Sequence, residues 1–67
     1  MSETTRIDTI LAVVVVEEAK AKVAGGSAPV FIVKDKEEQE KLALILSRII
    51  KAMAHDLENG VYILVKH

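Results

Sequence analysis

Residues 10–16 read Ile-Leu-Ala-Val-Val-Val-Val, seven apolar side chains in a row in a chain of 67. A segment with no polar side, whether helix or strand, needs cover all round. A monomer of this size hides only about 60% of its chain surface and has little interior to give. The run is too short to cross a membrane, which takes about 20 residues, and Met1-Ser2-Glu3 lacks the basic start of a signal peptide. The expected protein is soluble and cytoplasmic.

The segment holding this run has two readings. Ser2 can cap a helix with Glu3 in its first turn, Glu18 and Lys22 form a favourable i,i+4 pair, and Gly25-Gly26 suits a helix end. Four consecutive valines favour a strand instead, because β-branched side chains lose rotamer freedom in a helix. A helix over about 3–24 unites the first set of features and is the reading preferred. The alternative is a strand over 7–16 and a short helix over 17–24, giving a βαβαβ order.

The rest of the chain is more regular. Pro29-Val30-Phe31-Ile32-Val33 and Val61-Tyr62-Ile63-Leu64-Val65 are β-branched and aromatic runs, predicting strands over 29–34 and 61–66. Between them Asp35 is an N-cap with Glu38 three residues on. Leu42, Ile45, Leu46, Ile49, Ile50, Met53 and Leu57 recur at helical spacing, and Asn59-Gly60 makes a stop. These features predict a helix over 36–58. Neither strand alternates with polar residues, as in a parallel pair joined by a right-handed crossover. The expectation is one small α+β domain over 1–67, in α-β-α-β order, with a two-stranded parallel βαβ unit and an N-terminal helix.

Such a fold would be incomplete alone. Helices of about 33–35 Å overhang strands of about 17 Å, and a two-stranded sheet has two open edges. A second copy of the chain is therefore the expected first partner, as a homodimer or higher oligomer. Ile10, Val13, Val14, Val16, Leu44, Ile50 and Leu57 are the candidate interface.

Composition removes several kinds of chemistry. With no cysteine and two histidines, disulfide scaffolds, zinc modules and thiol enzymes are set aside, and no metal or cofactor site is expected. The net charge of −1 sets up no field for nucleic acid or an anionic membrane. Lys and Glu abound beside one Asn and one Gln, a balance reported for hyperthermophiles, which points to a thermophilic, archaeal source.

The remaining candidates are local. On the helix expected over 36–58, Lys41, Arg48, Lys51 and His55 form a basic ribbon facing away from the core. It could bind phosphate backbone or an acidic partner, or be a solvated face. Asp56 falls on the apolar side of that helix, with Arg6, Arg48 or Lys66 as prospective partners. Gly25-Gly26-Ser27 follows a helix and leads into a strand, the reverse of a phosphate loop, so a helix cap explains it better. From Pro29 to Val65 the layout resembles the small oligomeric tautomerases, whose catalytic base is the free amine of an N-terminal proline. Pro29 follows 28 residues, so its nitrogen is an amide, and it reads as the start of an edge strand. The function expected is a non-enzymatic homo-oligomeric interaction module, a scaffold or regulator. The alternatives are a nucleic-acid-associated protein using the ribbon, and an enzyme with a site shared between subunits.

Overall fold

The computed structural model describes residues 10–23 and 28–66. Along the chain these form β1 (Ile10–Val16), a 3-10 helical segment (Glu17–Lys22), β2 (Val30–Val33), α1 (Lys36–Ile49), β3 (Ala52–Asp56) and β4 (Val61–Lys66). The four strands make one sheet in the order β2-β1-β4-β3. β1 runs parallel to β2, with Val14 opposite Phe31, and antiparallel to β4, with Val14 opposite Tyr62. β3 and β4 are an antiparallel hairpin with Ala54 opposite Leu64. With one main helix against this mixed sheet, the fold is α+β. No described helix is long and apolar enough to cross a membrane.

The valine run is a strand, not a helix, so the first helix expected over 3–24 is replaced by the alternative of a strand and a short helical segment. Residues 1–9 and 24–27, which carry the caps proposed for that helix, lie outside the described residues. As an inner strand β1 is covered on both faces, which suits a run with no polar side. On one face Ala12 and Val14 join Val33, Ala43, Ala52, Tyr62 and Leu64 beneath α1. On the other, Val13 and Val15 pack with Val61 and with Ala19 of the 3-10 segment. Val14, Val15 and Leu64 are fully buried.

The second expected helix also splits. α1 stops at Ile49, the chain turns through Lys51 at φ 54°, and residues 52–56 form β3. Met53 and Leu57 continue the helical spacing only by coincidence. Asn59-Gly60 belongs to the β3–β4 hairpin loop, where Glu58 and Gly60 take φ of 62° and 90° and the Asn59 side chain accepts from the Val61 N–H at 3.2 Å. The strand over 61–66 stands, but it does not pair with β2 in a parallel βαβ unit. β1 lies between them, and β4 is antiparallel to both its neighbours. A 14-residue helix is about 21 Å long, close to the reach of a six-residue strand, so the predicted overhang disappears.

Two polar devices hold α1 in place. At its start the Asp35 carboxylate accepts from the Glu38 N–H at 3.0 Å, while Glu38 reaches back to the Lys34 N–H at 2.8 Å. This is the expected capping box, closed one residue earlier than usual. One turn in, Gln39 is 1% exposed, and its Nε2 donates at 2.9 Å to both the Val14 and Gly60 carbonyls. One amide thus ties the helix to the end of the β1–β4 ladder.

Candidate interaction surface

A cleft of about 500 Å3 lies where the first turn of α1 meets the β3–β4 hairpin. Lys36 is its most connected group. Its Nζ stands 3.3 Å from Asp56 Oδ2, 3.2 Å from the Tyr62 hydroxyl and 3.9 Å from Glu40 Oε2, and the Tyr62 hydroxyl donates to Glu40 at 3.3 Å. The hydrogen bond to Tyr62 is the chief cause of a raised Lys36 pKa; desolvation opposes it, and the hydrogen bond and charge of Asp56 assist. The Glu58 backbone N–H, bound to Asp56 Oδ1 at 2.7 Å, is the chief cause of a lowered Asp56 pKa, with Lys36 assisting. Asp56, on β3, thus has a cation partner in Lys36 and not in Arg48 or Lys66, while Arg6 lies outside the described residues.

These groups are wet. The Lys36 and Asp56 side chains are 60% and 41% exposed, so water screens the pair. The network pins α1 to the hairpin, with the Lys36 amine held among the Asp56 carboxylate, the Tyr62 hydroxyl and the Glu40 carboxylate. Among the described residues no three His, Asp or Glu side chains are grouped to hold a metal ion.

The predicted ribbon does not form as one feature. Lys41 and Arg48 lie on the outer side of α1, Lys51 occupies the turn after it, and His55 stands on β3. His55 is opposite Ile63, which packs on the sheet face away from α1. His55 and the helix cations therefore point to opposite sides of the sheet. The predicted interface disperses too. Val13 and Val14 are core, Ile10, Val16 and Ile50 are half-buried, and Leu44 and Leu57 are exposed on separate elements.

A different apolar surface lies along the β2 edge and the flank of α1. β2 is an outer strand, with Val30, Phe31 and Ile32 exposed by 39, 36 and 51%. Pro29 stands just before it, and its carbonyl accepts from the Val13 N–H at 2.9 Å. Between β2 and α1 runs a groove of about 300 Å3, walled by Ile32, Val33, Leu42 and Ile45 with Glu38 and Lys41 at the rim. Ile49, one turn beyond Ile45, is 68% exposed on the same flank. Reading 36–58 as one helix put Ile45 and Ile49 in the core and hid this surface. Its sequence signal is the uncharged edge run Val30-Phe31-Ile32-Val33.

Fold and surface together describe a small α+β protein with exposed apolar side chains along β2 and the flank of α1, a feature of proteins that bind others. The chain belongs to the family described as capping complex subunit for YIEGIA, which it matches over residues 7–67. It is similar to the uncharacterized protein YpzH of Bacillus subtilis (strain 168), with 42% identity over 53 residues, 79% of this chain and 81% of that protein. No solved structure matches it.

Proposed function

We propose that this chain is a non-catalytic subunit of a capping complex formed with YIEGIA, that it works by contact, and that it also associates with itself. The observation that carries this reading is the family match over residues 7–67, which takes in every described strand, α1 and the apolar surface between β2 and α1. The surface supports it independently. Ile32 and Ile45 line one groove and Phe31 and Ile49 are exposed on the same two elements, apolar surface of the kind that marks binding sites in small proteins. Co-expression with YIEGIA from the same source tests the proposal. The two chains are expected to elute together in a fixed ratio, and separate elution of two folded proteins would overturn it. Substituting Ile45→Asp, outside the buried clusters, is expected to weaken co-elution or self-association while leaving the circular dichroism unchanged.

A further inference from the structure

The two outer strands of the sheet are guarded differently. Unpaired N–H and C=O groups on an edge strand template pairing with another chain, and soluble proteins usually blunt such edges with charge. β3 ends in His55-Asp56, whereas Val30-Phe31-Ile32-Val33 of β2 holds no charge. One hydrogen bond shows how β2 presents its backbone. The Val13 N–H donates to Pro29 in the parallel β1–β2 ladder. Backbone groups alternate sides along a strand, so Phe31 and Val33 also face β1, while Val30 and Ile32 turn their N–H and C=O outward. No described residue pairs with that outer side.

This edge is its own complement. A two-fold axis beside Phe31 brings Val30 of one copy opposite Ile32 of the other. Each outward N–H then meets an outward C=O, and every outward group of the strand is satisfied. Phe31 faces Phe31 of the second copy as a non-hydrogen-bonded pair, in which Cα atoms lie about 4.5 Å apart. Phe31 shares a sheet face with Val14, the face covered by α1, so the second copy's Phe31 meets the flank that carries Leu42 and Ile45. We propose that two copies of this chain join antiparallel, edge to edge, through β2, making one eight-stranded sheet. This inference rests on the self-association proposed above and names the surface that carries it.

The chain has no cysteine, so Phe31→Cys introduces a lone thiol at the proposed axis, within disulfide reach of its copy. Mild oxidation is expected to convert most of this variant to a covalent dimer, while Met53→Cys on β3 stays largely uncrosslinked. Ile32→Pro removes an outward N–H and leaves the β1-facing groups of Phe31 and Val33 in place. In sedimentation it is expected to weaken association by about tenfold or more, toward the 7.3 kDa monomer. In β3 the Leu57 N–H bonds to Val61, so by the same alternation Ala54 points its N–H outward, and Ala54→Pro is expected to leave the dimer intact. A wild-type dimer that resists both the Phe31→Cys cross-link and the Ile32→Pro substitution overturns the β2 interface while self-association stands. A wild-type monomer at high micromolar concentration overturns both, and co-elution with YIEGIA then judges the capping reading separately.

Discussion

At Gly60 the backbone takes φ +90°, and a Cβ placed there would stand 2.7 Å from the Ala19 Cβ and 3.2 Å from Val16 Cγ2. Gly60→Ala therefore carries both backbone strain and a clash with the 3-10 segment. It is expected to cost about 1–3 kcal/mol in urea unfolding. Gln39 is as constrained, by hydrogen bonding. Replacing it with Leu keeps the bulk but removes both donated bonds, an expected loss of about 1–2 kcal/mol. Gln39→Glu sharpens the test, because a carboxylate there would face two carbonyl oxygens. Burial raises the pKa of such a group, so the variant should be most stable when protonated and lose stability as pH rises through that pKa. Urea midpoints across pH 4–8 would show it. Asp56 works in the opposite direction. Its pKa is lowered, so its contribution is complete above the ordinary aspartate range and fades as pH falls through the lowered value. Asp56→Asn should flatten the acid limb of stability slightly and leave neutral pH nearly unchanged, since the group is exposed. Little of this was legible in the sequence. Gln39 stood out there only as the lone glutamine, because its two acceptors come from β1 and the hairpin loop, 25 and 21 residues away.

The end of α1 shows why element boundaries were harder to read than element starts. Asp35 and Glu38 are four residues apart at most from every group they bind, so the start was visible as a local pattern. The end is marked by Lys51 in the left-handed region, where a glycine or asparagine would ordinarily announce it. Without that signal the apolar spacing of Met53 and Leu57 predicts a longer helix, and Asn59-Gly60, a strong hairpin dipeptide, reads equally as its stop. Lys51→Gly should relieve the strain and raise stability by about 0.5–1 kcal/mol, after the greater freedom of glycine in the unfolded chain is offset. Thermal unfolding would measure it, and a loss would show that the Lys51 side chain holds the turn. The basic ribbon fell with the same boundary, since it needed Lys41 and His55 on one helix.

For the whole molecule the decisive arrangement is β1 and β4 inside the sheet, with β2 and β3 outside. Amide exchange should follow it: the amides of Val14, Val15 and Leu64 are expected to exchange slowest and the outward amide of Ala54 fastest, while the proposed β2 pairing slows those of Val30 and Ile32. Slow exchange at Val30 and Ile32 alone among the outer positions would mark the β2 edge as paired in solution. The sequence by itself determined the α+β class, the start of α1, the strands at β2 and β4, and the need of Ile10–Val16 for cover on all sides. Each follows from side chains within a few residues of one another. Only the tertiary structure decided that this cover comes from α1 on one face and the 3-10 segment on the other, within a single copy. It also moved the unmet apolar surface from the valines to β2 and the flank of α1. The physical reason is strand order: which strands lie inside is settled by contacts between distant segments, and local spacing carries no record of them.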